Sequence, residues 1–223
     1  MDTARTLRGT CHTPGVYLPT WFDAGPDAAR AFVVSSHAGD LVTAGPDGLS
    51  SSFVPYVFDE DRNSVLAHLA RQNPQGQGVP ESGADAMMIV RGPDGYVSPG
   101  WYVSKAEHGR VVPTWDYVSA HVHGRLVVHD DPVFVEDVVR RLTVRHESGR
   151  LSPWSVDDAP ERFVRGQLQA VVGVELVVTR IELKRKLSQN RPSSDIDGVV
   201  AGFRDDLRPD LADLVQEHRP EAT

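Results

Sequence analysis

Apolar and polar positions change period several times along the chain. Over residues 24–37, Ala28, Ala31, Phe32 and Val33 form an apolar stripe behind Pro26, which predicts a short helix with proline in its first turn. From residue 40 the pattern shortens to strand-like runs separated by turn residues. Strands are expected at 40–44, 52–58, 64–69, 85–90, 96–98, 111–122 and 124–129, with Gly-Pro-Asp-Gly turns at 45–48 and 92–95. Asp131-Pro132 opens a helix to about residue 147, carrying Val135, Val138, Val139 and Leu142. Asp158-Ala-Pro160 opens another with Phe163, Val164 and Leu168. A long, loosely alternating strand follows at 173–183, then a surface helix at 205–218. The class is mainly β with flanking helices (α+β), a barrel or a sandwich.

No repeat or shift of composition divides the 223 residues, so one domain over 1–223 is expected, with a loose extension at 1–15 and a C-terminal helix and tail at 204–223. The net charge of −8 argues against a nucleic-acid surface, because such surfaces carry a basic stripe. The richest basic cluster, Lys184-Arg185-Lys186 with Arg191, suits one phosphate group rather than a duplex. A lone cysteine, Cys11, excludes an intrachain disulfide or a multi-cysteine zinc site. No apolar run approaches the ~20 residues of a membrane span, and the N-terminus lacks a signal-peptide core, so a cytoplasmic protein is expected. Gly-x-Gly-x-x-Gly, Walker and nucleophile-elbow motifs are absent.

Four segments are dense in polar and aromatic chemistry. The first, His68-Leu-Ala-Arg-Gln-Asn-Pro74, ends a strand with His68, Arg71 and Asn73 as donors; a solvated strand end is the alternative. The second, Tyr96-Val-Ser-Pro-Gly-Trp-Tyr102, offers Ser98 and Trp101 with Lys105 nearby, either a stacking wall beside an anion donor or an aromatic loop cluster. In the third, Val112-Pro-Thr-Trp-Asp-Tyr117 brings Thr114, Trp115 and Tyr117. His121 and His123 then share a strand face, but no carboxylate motif completes a metal site. The fourth, Lys184 to Pro192, combines cations with Ser188, Gln189 and Asn190 and suits a phosphate or a polar ring edge, or else a solvated basic loop.

Together with Tyr17-Leu-Pro19, Pro153-Trp154, Val172-Gly-Val-Glu175 and Lys186-Leu-Ser-Gln-Asn190, these segments resemble the PaiB-type, FMN-binding negative transcriptional regulator family over 17–203. The resemblance implies an FMN-binding split β-barrel, related in architecture to pyridoxamine-phosphate oxidases, pairing as a homodimer with flavin between subunits. On it, Arg71, Lys105 and Lys186 would contact the phosphate or ring edge. Ser98, Thr114, Ser188, Gln189 and Asn190 would hydrogen-bond, and Trp101, Trp115 and Tyr117 would line the pocket. Two departures stand out: Asp116, where members often carry Asn, and Phe53, where some carry His.

Three functions compete: an FMN-dependent oxidoreductase or cofactor-sensing regulator working with a small molecule, a heme-dependent enzyme forming an N–N bond as in piperazate synthases, and a transcriptional regulator. Heme would take His68 as axial ligand, with His121 second. Direct operator binding is not expected, since no basic recognition helix is present. The four segments are expected to meet around one planar, anionic guest.

Overall fold

The computed structural model describes residues 15–46 and 48–220. The N-terminal extension up to residue 14, Cys11 included, lies outside the described residues, as does Asp47.

Among the described residues, seven antiparallel strands form one sheet: β1 (Ala38–Gly45), β2 (Gly48–Pro55), β3 (Val57–Asp59), β4 (Ser64–Ala70), β5 (Ala84–Val97), β6 (Thr114–His129) and β7 (Val171–Lys186), in the order β2-β1-β5-β6-β7-β4-β3. β2 and β3 are opposite edges of this sheet, yet only Tyr56 separates them along the chain. Successive Cα atoms are ~3.8 Å apart, so the sheet must roll until its edges meet: a split β-barrel. Tyr56 seals the join, fully buried, with its hydroxyl donating to the Val33 carbonyl at 2.7 Å.

Among the described residues, seven helices flank the sheet: α1 (Pro26–Ser35), α2 (Pro74–Gln77), α3 (Ser104–His108), α4 (Pro132–Glu147), α5 (Glu161–Gln169), α6 (Ser193–Asp205) and α7 (Pro209–Glu217). Asp131 caps α4 by accepting from the Val133 and Phe134 amides. The barrel interior holds Leu41, Val65, Ala67, Met88, Val90, Val118, Ala120, Val122, Val174 and Leu176, and α6 and α7 plug one end with Val199, Phe203, Leu211 and Val215. α4 covers the outside of β3 and β4 through Val138 and Leu142 against Val57 and Leu66.

Several elements differ from expectation. Gly-Pro-Asp-Gly at 45–48 closes the β1–β2 hairpin, with Gly45 paired to Gly48, whose φ of 108° favours glycine. The same tetrapeptide at 92–95 makes no turn. It is a bulge inside β5, between Arg91 paired to Ser119 and Asp94 paired to Tyr117. Packing decides this, because a Cβ on Gly92 would stand 2.9 Å from Val118 Cβ and 3.2 Å from Phe32. β6 runs unbroken where two strands were expected, and 52–58 splits at Tyr56. β7 carries an extra residue, since His123 pairs with Arg180 but Gly124 with Val178. Thr179 is that residue, and it switches which side chains of β7 face inward. The loose alternation at 173–183 has this cause. Helix α6 falls where no helix was expected. Its Gly198 and Gly202 weaken the sequence signal, and both sit against Trp101.

Candidate cofactor site

Antiparallel partners lie on the same face of a sheet, so the registers write out the outer surface row by row. Across β1, β5, β6 and β7 the rows read Asp40–Ile89–His121–Glu182, then Val42–Met87–His123–Arg180. Beyond them come Arg91–Ser119–Lys184 and Asp94–Tyr117–Lys186, with Tyr96–Trp115 at the end. Among the described residues no helix covers this part of the sheet as α4 covers β3 and β4. Two grooves lie here with Ile89 and Arg91 as a common wall. One, of about 400 Å³, is also lined by Asp94, Trp115, Tyr117, Ser119 and His121. The other, of about 370 Å³, reaches His37, Asp40 and Phe53. Both are of a size that takes a small organic ligand.

The chemistry of the groove is mixed. Trp115 is half-exposed and meets Tyr96 edge to face at 6.3 Å. Arg91 is exposed and makes no hydrogen bond or ion pair among the described residues. His121 is half-buried, its Nδ1 lacks a hydrogen-bond partner, and burial holds its pKa below the usual histidine value, with His123 adding to the effect. The segment at 15–24 bounds the groove beyond β7. There Lys184 donates to the Tyr17 carbonyl at 2.9 Å and stands over the rings of Tyr17 and Tyr117, while His123 pairs with Glu182 at 3.0 Å.

Three of the four motif segments meet at this end of the barrel. Lys186 donates to Thr114 Oγ1 at 2.9 Å and to the Trp115 carbonyl, and Ser188 donates to Asp116 at 2.8 Å. Trp101 packs on α6 and on Phe203, and Arg191 lies over the Tyr102 ring at 4.6 Å. Several predicted ligands are engaged within the chain. Ser98 accepts from the Gly100 amide, and Gln189 accepts from the Leu187 amide while donating to the Arg185 carbonyl. Lys105 and Asn190 are exposed.

The first segment lies elsewhere. β4 pairs with the opposite end of β7, His68 with Gly173 and Ala70 with Val171, whereas Tyr117 pairs with Lys186. Twelve residues of β6 separate Tyr117 from His129, the partner of Gly173, roughly 40 Å along the strand at ~3.3 Å per residue. Arg71 is committed to the Gln169 and Val171 carbonyls and to Asp130 at 2.6 Å. Asn73 caps α2 and donates to Ser52. His68 sits on the side of β4 that α4 covers, with Nδ1 unpartnered and its pKa lowered by burial. Within one chain, then, the four segments do not share a cavity. Sequence reasoning also missed Arg91, Ser119, Asp40 and His37, and weighed His121 only as a metal or heme ligand. Only the cross-strand register brings them together. Among the described residues no group of three or more His, Cys, Asp or Glu is placed to hold a metal.

A family model described as "Putative FMN-binding domain" matches residues 16–180. The chain belongs to this FMN-binding family. The match spans β1 to β6 and stops inside β7, short of Lys186 and the loop after it. Among relatives of the FMN-binding protein is the protease synthase and sporulation protein PAI 2 of Bacillus subtilis, 26% identical over 208 residues, covering 91% of this chain and 97% of that protein. Solved structures agree on the fold. A conserved hypothetical protein of Mycobacterium tuberculosis has a TM-score of 0.56 at 15% identity, covering 79% of this chain and 94% of that one. The FAD and heme binding protein of Mycobacterium smegmatis has a TM-score of 0.51 at 15% identity, covering 80% and 78%. Among the described residues no helix is long and apolar enough to cross a membrane.

Proposed function

We propose that this chain is a flavoprotein holding FMN in the outer-face groove, where it serves a redox reaction on a small molecule. The observation that carries the reading is an unengaged cation, an aromatic wall and uncommitted polar groups lining one groove, inside the segment that the FMN-binding family model matches. The residues fit the cofactor. Arg91 is free to take the phosphate, Trp115 and Tyr117 offer ring faces, and the Ser119 hydroxyl suits the polar ring edge, with the His121 ring lining the groove beside it. Bound FMN supplies the redox chemistry. The chain's own part is to bind, to orient and, through Ile89, Trp115 and Tyr117, to keep water off one side of the ring.

The same face suits a second copy of the chain. Phe53 is 72% exposed and Trp115 52% exposed, with Tyr96 beside Trp115. Apolar surface of this kind marks an interface more often than open solvent. A two-fold pairing also offers a way for His68 to Asn73 of one protomer to approach the aromatic wall of the other. The heme reading has one observation in its favour: His121 lines the groove, whereas His68 lies on the covered side of β4. A direct regulator of DNA gains no support from the net charge of −8.

The test is FMN titration into purified protein, followed by flavin fluorescence quenching alongside the visible spectrum. Saturable quenching is expected, weakened on the order of tenfold or more in Arg91→Ala, as befits a lost charged hydrogen bond. A Soret band in the purified protein with no response to FMN would replace the flavin with heme.

A further inference from the structure

Behind the aromatic wall lies a buried polar cluster that flavin binding leaves unused. Asp116 points inward from β6 between Trp115 and Tyr117 and is 0% exposed. Ser188 donates to its Oδ2, but Oδ1 has no hydrogen-bond partner among the described residues. The Lys186 ammonium stands 3.7 Å from that orphaned oxygen. Ser188 is held at a φ of 63°, a left-handed conformation that costs a non-glycine residue energy and persists only where its surroundings enforce it.

The other groups of the cluster come from neighbouring elements. Tyr102, whose buried hydroxyl is also unpartnered, faces Asp116 from the loop before α3. Arg191 lies over the Tyr102 ring, and Asp195 of α6 accepts from the Ser104 amide and hydroxyl. The charges around Asp116 are therefore Lys186 and Arg191 against Asp195, with Lys184 farther along β7. Burial, incompletely offset by Ser188 and Lys186, pushes the Asp116 carboxyl up to about 6.

We propose that Asp116 is a positioning residue that sets how tightly the neighbouring groove takes an anionic cofactor, by neutralising Lys186 when ionised and releasing its charge when protonated. The proposal rests on the flavin reading of the groove and adds a control to it: loading favoured by acid. Removing one negative charge from behind an anion-binding groove, at an effective dielectric near 20, changes affinity on the order of tenfold. Asp116→Asn keeps the shape and holds position 116 permanently uncharged, so that the Lys186 charge is never neutralised.

The experiment compares FMN affinity in wild type, Asp116→Asn and Lys186→Met at about pH 5 and about pH 7.5, by fluorescence quenching. Affinity ratios between variants at each pH cancel the titration of the phosphate itself and of His121. Near neutrality Asp116→Asn should bind on the order of tenfold tighter than wild type, and the two should coincide in acid. In Lys186→Met, Asp116 loses its compensating cation and stays protonated. Its affinity should then fall about tenfold below wild type in acid and approach it near neutrality, a comparison that stands even if Asp116→Asn fails to fold. A constant ratio of wild type to both variants across pH overturns the proposal and leaves the flavin reading intact. Absence of FMN binding in all three proteins at both pH values overturns both.

Discussion

Two half-buried histidines and one buried carboxylate make stability depend on pH, with opposite signs. Burial lowers the pKa of His68 and His121 below the ordinary 6.5. Their neutral forms therefore contribute stability that is complete above that value and is lost as pH falls. Asp116 works the other way. Its folded value of about 6 lies above the ordinary 3.8, so ionising it costs the native state, and stability is regained as pH falls from about 6 towards 4. At ~1.4 kcal/mol per unit, that cost is about 3 kcal/mol near neutrality. Asp116→Asn removes it while leaving the histidines. Urea melts should show the variant more stable than wild type near pH 7, with the difference closing by about pH 4. A variant less stable than wild type at neutral pH would mean that the Ser188 and Lys186 contacts outweigh the cost of burying the charge.

Among the elements, α6 is docked by the absence of side chains. A Cβ on Gly198 would stand 1.9 Å from the Trp101 carbonyl oxygen, and one on Gly202 would stand 2.2 Å from the indole. The first neighbour is backbone and cannot turn aside. Gly198→Ala should therefore push α6 off the barrel end and cost ~2–3 kcal/mol in a denaturant titration, although alanine is the better helix former. The bulges act on whole strands in the same indirect way. Thr179 lets Leu183 fill the core while Glu182 and Lys184 turn outward beside His121 and Ser119, and the Gly92-Pro93 bulge does likewise for Val97 and Tyr96. The site owes its composition to these two extra residues.

At the scale of the whole molecule, rolling the sheet leaves one broad face that no helix among the described residues covers, and large apolar side chains stand on it. Phe53 of β2 and Trp115 of β6 stand on that face. If it pairs two copies of the chain, Phe53→Asp should shift sedimentation from dimer to monomer and weaken FMN binding along with it. A charge placed there is costly to bury against an apolar neighbour. A monomeric wild type that still bound FMN would instead confine the cofactor site to one chain.

Much of this protein is legible in its residues alone. Local chemistry sets the α4 start at Asp131-Pro132, the hairpin at Gly45 and Gly48, and the density of aromatic and basic groups near Trp115 and Lys186, because caps, turns and motifs act over a few residues. Membership in an FMN-binding family follows from the same motifs. Which of those groups meet was decided only in three dimensions. The register of β6 on β5 and β7 put Arg91, Ser119 and His121 beside Tyr117, and the pairing of β4 on β7 sent His68 and Arg71 to the far end of β7. Register and bulges answer to packing from distant parts of the chain, such as Phe32 and Val118 against Gly92. No local pattern records those contacts, so the sequence names the chemistry and the rolled sheet chooses its neighbours.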